Sequence, residues 1–170
     1  MDVLQRAGEH LAPHARGLVL AMLDQDGDAA AADRVLEAAR RLDIDPIDYC
    51  VHRLGLGEAV VLERAAHWAG YGFWPRIPSL ARGSPEIRRI DHLAKVRTLR
   101  AVLYDREVTF CAPSFEEMLR LAAARVRTPE IARHLCIVPA RAIRAGLAAS
   151  CSEQLLTEAR QRLTRRWPYA

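Results

Sequence analysis

The side chains best suited to chemistry in this chain are its histidines, which occur at six positions: His10, His14, His52, His67, His92 and His134. His10 and His14 are four residues apart, so a helix would present both imidazoles on one face, where they could bind a metal ion. Pro13 lies between them, and no carboxylate is obviously paired with them. Surface positions or a helix cap are therefore the favoured interpretation, and no His-Glu-x-x-His or Gly-x-Ser-x-Gly pattern occurs.

Four cysteines, Cys50, Cys111, Cys136 and Cys151, are widely spaced and have apolar neighbours. No pair has the short separation of a zinc knuckle or of a redox Cys-x-x-Cys motif. We expect them to be small buried hydrophobic side chains in a reducing compartment, and we predict no metal or other cofactor.

Two further motifs match only part of a known functional signature. The Leu54-Gly55-Leu56-Gly57-Glu58 segment is similar to a phosphate-binding loop but lacks its lysine and hydroxyl residue, so a helix–helix corner is favoured over a phosphate site. The segment from Gln161 to Trp167 contains the residues of the Gln-x-x-Arg-Trp signature of processive sugar transferases, but with a different spacing. We therefore predict that this chain is not itself an enzyme.

The charge of the chain is mildly basic, with a formal net charge of +4. The basic residues are dispersed and interleaved with acidic ones, which is typical of a solvated surface; a partner-facing or membrane-facing patch is the alternative. The candidate interaction surface comprises Trp74, Arg88, Arg89, Arg97, Arg100, Arg165 and Arg166.

The hydrophobic content of 51% with 27% charged residues predicts a folded protein. No apolar run approaches the roughly 20 residues that span a bilayer, and the acidic residues near the N-terminus are unlike a signal peptide. The predicted location is cytoplasmic.

Helical periodicity and capping residues predict helices in the first half of the chain. These cover the first 24 residues, interrupted at Pro13, then 32–42, a segment that starts at Asp45-Pro46 and ends at Gly55, and Glu58 to Ala69 with Gly70 as its stop. The two helices between Asp45 and Gly70 could form a DNA-binding pair. Acidic Glu58 and Glu63 on the second of them would repel phosphates, so we predict no nucleic-acid partner.

The second half alternates strands and helices. Tyr71 to Trp74 is predicted to be extended, 90–96 helical, and Thr98–Tyr104 with Glu107–Ala112 a hairpin around Asp105-Arg106. Further predicted elements are a helix capped by Ser114 and Glu117, a short helix at Thr128, a strand over His134–Val138, a helix opened by Pro139, and a basic helix from Glu153.

This order of elements predicts an α+β fold, with a β-hairpin and extra short strands packed against helices. We predict three parts. Residues 1–44 form a helical lead-in, residues 45–150 the α+β module, and residues 151–170 a basic connector helix.

Three segments carry a family resemblance: His52–Phe73 (HRLGLGEAVVLERAAHWAGYGF), Leu99–Pro113 (LRAVLYDREVTFCAP) and Val138–Leu147 (VPARAIRAGL). Together they resemble the N-terminal domain of type II secretion and pilus assembly ATPases, in the form found ahead of bacterial family 2 membrane glycosyltransferases. The resemblance covers about two thirds of the chain and lies in pattern and order.

The resemblance implies a non-catalytic domain that docks a partner protein or regulates a membrane enzyme domain that follows it in the chain, here a glycosyltransferase. A docking domain of a secretion or pilus ATPase system is the alternative. Some family members bind cyclic di-GMP through two tandem motifs that begin Arg-Leu-Gly. Here Arg53-Leu54-Gly55 opens one copy, Trp68 replaces the motif's glutamine and the second copy is absent, so a degenerate cyclic di-GMP sensor is not favoured. The basic connector helix would then lie near the anionic inner leaflet, at the inner face of the bacterial inner membrane.

Overall fold

A computed structural model of the chain describes residues 14–24, 27–78, 82–83 (backbone) and 96–150, together with the helical residues Leu156 and Arg160. Several predictions concern residues outside this set. They are the helix before Pro13, the Gln25-Asp26 stop, the helix over 90–96, most of the connector helix, and the site candidates Arg88, Arg89, Arg165 and Arg166.

The helices mostly begin and end at residues with a capping role. They are α1 (14–23), α2 (Ala29–Leu42), α3 (Pro46–His52), α4 (Glu58–Ala69), α5 (Phe115–Arg127) and α6 (Ala140–Ser150), with a 3₁₀-helix over Pro129–Arg133.

The predicted start at Asp45-Pro46 is confirmed, because the Asp45 side chain accepts from the Ile47 amide. Gly70 is also confirmed as the stop of α4, at φ 78°. The predicted end of α3 at Gly55 is wrong by three residues: the helix ends at His52.

Five strands form one mixed sheet in the order β1-β5-β4-β3-β2. They are β1 (Gly72–Phe73), β2 (Arg82–Gly83), β3 (Thr98–Leu103), β4 (Arg106–Cys111) and β5 (Leu135–Ile137). The last strand, β5, runs parallel to both β1 and β4 and lies between them, whereas β3 is antiparallel to β2 and β4. The predicted α+β class is therefore confirmed.

The sheet has a hydrophobic core on each side. The larger core unites α1 to α5 with Ile137 of the sheet, and it includes the fully buried Leu18, Met22, Val61 and Met118. The described residues of the N-terminal helices thus share one core with the α+β elements. The smaller core lies between the opposite face of the sheet and α6. Its members on β3 are the alternate residues Leu99 and Ala101, and Leu99 lies across from Phe110 of β4.

The hairpin between β3 and β4 is confirmed, but its turn lies one residue earlier than predicted. Tyr104 and Asp105 connect the strands at φ 49° and 61°. Positive φ at both central residues is the type I′ turn that matches the twist of a two-residue hairpin. The turn was predicted one residue too late because tyrosine is not a typical residue for the left-handed backbone conformation.

We expect Tyr104→Asn combined with Asp105→Gly to stabilise the protein by about 1 kcal/mol, since Asn-Gly adopts this turn with less strain. Urea unfolding would measure the change. The matched control is Asp105→Asn with Arg106→Gly, which moves the same dipeptide one residue along the chain. We expect the control to destabilise the hairpin; stabilisation by the control alone would contradict the observed register.

Candidate functional site

The thiols within the described residues are poor nucleophiles. Burial raises the pKa of Cys50, Cys111 and Cys136 to about 11 in each case. Asp45 adds to the shift at Cys50, and Glu117 adds to it at Cys111, where Arg97 opposes it. Because the thiolate is the reactive form, none of these three sites is arranged for cysteine chemistry at neutral pH.

This arrangement predicts slow alkylation. In a Cys151→Ser variant at pH 8, we expect iodoacetamide to modify the three remaining thiols at least about tenfold more slowly than in the urea-unfolded chain. The rate should rise as the pH approaches 11, because a raised pKa keeps the thiol neutral until then. Mass spectrometry would assign the modified residue. Rapid modification of a single cysteine in the folded protein would contradict the prediction.

Within the described ranges, no group of three or more histidine, cysteine, aspartate or glutamate side chains could hold a metal ion. In the same part of the chain, no helix is both long and apolar enough to cross a membrane.

A large cleft of about 730 Å³, which we call the helix-end cleft, lies where α4 and α5 end, beside α1. It is lined by His14, Trp68, Ala69, Leu119, Ala122, Ala123, Arg125, Val126, Arg127 and Pro129. Most of the lining is apolar, and its charged side chains are arginines. A cleft of this size and composition is typical of a binding site.

Trp68 forms one wall of the helix-end cleft. Its indole ring is half-buried and packs against α1, where a Cβ atom added to Gly17 would lie 3.4 Å from Trp68 Nε1. The absence of a side chain at Gly17 therefore lets α1 approach the ring closely. Within the described residues the indole N–H donates to no acceptor, and its nitrogen is the ring atom nearest to the position of a Gly17 side chain.

Arg125 lies at the end of α5 and crosses over to the end of α4. Its guanidinium group occupies the space where a side chain on Gly70 would be. Its charge partly offsets the effect of burial, which raises the pKa of the neighbouring Tyr71 phenol. That phenol donates a 2.8 Å hydrogen bond to the Leu121 carbonyl and so ties the start of the sheet to α5. Within the described residues Arg125 itself has no hydrogen-bond acceptor.

The predicted surface residue Arg97 lies in a different cleft, of about 350 Å³, together with Arg141 and Arg144 of α6. Arg97 Nε donates to the Ala112 carbonyl at 2.7 Å, and Arg141 pairs with Glu58 at 3.3 Å. The carboxylates of Asp48 and Glu58 also line this cleft and offset the charge of its arginines, which makes it a weaker candidate for binding an anion.

Arg100 is on the opposite face of the sheet from Arg97. It lies across from Thr109 and lines a groove of about 250 Å³ with Val102, Glu107 and His134. Trp74 follows β1, and its ring centroid is 6.1 Å from that of Phe110. Of the described members of the predicted surface, Arg97 and Arg100 therefore do not share one site.

The sequence-based prediction did not include Arg125, Val126 and the other residues of α5 that line the helix-end cleft. One signal was present: in the segment from Ala122 to Arg127, three alanines are followed by Val126 between two arginines. Val126 is 84% exposed, which is unusual for a large apolar side chain near a cleft.

Comparison with known proteins gives no match: no protein-family model, curated protein or solved structure is significantly similar to this chain. The resemblance to the secretion-ATPase N-terminal domain therefore remains a prediction from the sequence.

Proposed function

We propose that this chain is a non-catalytic docking or regulatory domain that serves a bacterial membrane glycosyltransferase. The observation that carries the docking part of the proposal is the helix-end cleft. It is open, mainly apolar, and has unpaired donors on Trp68 and Arg125 within the described residues. The glycosyltransferase part is supported by the sequence resemblance alone.

The chemistry of the described residues also favours docking over catalysis. The three cysteines have high pKa values, so a thiolate nucleophile is disfavoured. His134 is exposed, and its Nδ1 atom is 3.3 Å from the carbonyl oxygen of Glu107; no carboxylate among the described residues pairs with it. A general base usually needs such an orienting partner.

The experiment is affinity capture with the folded chain as bait, applied to detergent-solubilised inner membranes of the bacterium that encodes it. Two baits, residues 1–170 and residues 1–152, separate capture by the described fold from capture by the basic segment. We expect both baits to recover the same membrane glycosyltransferase, identified by mass spectrometry. Recovery of an assembly ATPase would favour the alternative partner, and recovery of no specific protein would contradict the assignment to a glycosyltransferase.

A further inference from the structure

We propose that the helix-end cleft binds an acidic amphipathic helix of the partner protein, and that Arg125 pairs with a carboxylate on that helix. This inference rests on the proposed docking function and specifies its partner. It starts from the lining of the cleft. Leu119 and Ala122 provide an apolar floor, Trp68 an apolar wall and Val126 an exposed apolar rim, as in sites that receive the apolar face of a helix.

The charge of the lining residues indicates the charge of the partner's side chains. Among the described residues, Arg125 and Arg127 are the charged side chains of the cleft, accompanied by His14, and no described carboxylate lines it. Elsewhere in the described fold, Arg64, Arg120 and Arg133 each pair with a carboxylate of the chain itself. Arg125 is half-buried and has no such acceptor among the described residues. A half-buried guanidinium with free donors is complementary to an acidic side chain.

A structural role for Arg125 is the alternative that the test must separate from binding. Both α4 and α5 end near it, and helix C-termini carry partial negative charge that an arginine stabilises. If Arg125 had only a structural role, its replacement would change the stability of the fold but would not change the preference for an acidic over a neutral ligand.

The shape of the cleft favours a helix over a small amphipathic ligand such as a fatty acid. Half of the lining residues are exposed: His14, Ala123, Val126, Arg127 and Pro129. Small-molecule sites usually bury about 70–90% of their ligand, which an open cleft of this kind does not. A helix needs to bury only one face, and the alanines at the floor let its backbone approach.

The test uses fluorescein-labelled helical peptides and the full chain, followed by fluorescence anisotropy. The acidic panel carries leucines at positions i, i+3, i+4 and i+7 flanked by glutamates in several registers; a matched panel has glutamine in place of every glutamate. We expect saturable binding of at least one acidic peptide and at least tenfold weaker binding of its glutamine counterpart. Binding should weaken as the salt concentration rises.

The decisive variants are Arg125→Gln and Arg120→Gln. Both remove one positive charge from α5, but Arg120 is exposed, pairs with Glu116 and does not line the cleft. We expect Arg125→Gln to weaken acidic-peptide binding at least tenfold and Arg120→Gln to change it less than twofold. The midpoint of urea unfolding, measured for both variants, shows whether each remains folded.

Several results would overturn the proposal. These are equal losses in the two variants, equal binding of acidic and glutamine peptides, or no binding by any acidic peptide. Binding of dodecanoate with the same dependence on Arg125, but of no peptide, would also overturn it and assign the cleft to a lipid carboxylate.

If Arg125→Gln still captured the glycosyltransferase, docking would stand and the cleft assignment would fail. If the wild-type chain captured nothing but bound acidic peptides through Arg125, the glycosyltransferase assignment would fail instead.

Discussion

Replacing Asp45 with alanine is expected to reduce the free energy of unfolding by about 3 kcal/mol, an unusually large effect for one partly exposed carboxylate. Asp45 Oδ1 accepts from the Ile47 amide at 2.8 Å and so caps α3. Its second oxygen, Oδ2, accepts from the Phe115 amide at 2.8 Å, at the start of α5 and 70 residues away. Loss of a helix cap costs about 1 kcal/mol, and leaving a partly buried amide unsatisfied costs about 1–3 kcal/mol.

Urea unfolding of two comparison variants would separate the two bonds of Asp45. Asp28→Ala removes a carboxylate that caps α2 and bonds to no distant helix among the described residues, so we expect it to cost about 1 kcal/mol. Asp45→Asn keeps one acceptor oxygen and should fall between Asp28→Ala and Asp45→Ala. If Asp45→Ala cost no more than Asp28→Ala, the bond to Phe115 would contribute nothing to stability.

Gly70→Ala is expected to have the second-largest effect, of about 2 kcal/mol on stability, and to disturb the helix-end cleft as well. Gly70 has φ 78°, a conformation that costs a residue with a Cβ atom about 1–2 kcal/mol. The new methyl group would also overlap the Arg125 guanidinium. Because that group is the end of a flexible side chain, it should move away and leave the cleft rather than distort the backbone.

Gly55→Ala is the matched control for Gly70→Ala. Gly55 has φ 71°, and a Cβ atom added there meets no atom within 4 Å, so this variant carries the conformational cost without the overlap. We expect both variants to lose stability, but only Gly70→Ala to weaken acidic-peptide binding. The two substitutions Gly70→Ala and Arg125→Gln should not be additive in binding, since both remove the same guanidinium from the cleft. Additive losses would show that Gly70→Ala weakens peptide binding by a mechanism other than displacement of the Arg125 guanidinium.

The elements that the sequence predicts best are those with local signals. The capping box at the start of α5 is confirmed, since Glu117 N donates to Ser114 Oγ and Ser114 N to the Glu117 carboxylate. A capping box, a proline after aspartate and a helix-ending glycine each act within four residues of one another. They could therefore be recognised without knowledge of the fold.

Interactions between distant segments could not be predicted in this way. Nothing near Asp45 in the sequence indicates its bond to Phe115, and nothing near Gly70 indicates the position of Arg125. The separation of Arg97 from Arg100 could not be predicted either. Arg97 precedes the predicted strand Thr98–Tyr104, so the alternation of side chains along that strand did not fix the face on which Arg97 lies.

The position of β5 in the sheet has a consequence for how the chain folds during synthesis. Among the described strands, β1 pairs with β5 alone, through Gly72 and Cys136, so β1 stays unpaired until the ribosome has released residues more than 60 positions later. The early helices can associate through local contacts, but the sheet closes only when β5 inserts between β1 and β4. Nascent chains shorter than this would expose the β4 edge, which makes the interval before β5 emerges the period of greatest aggregation risk.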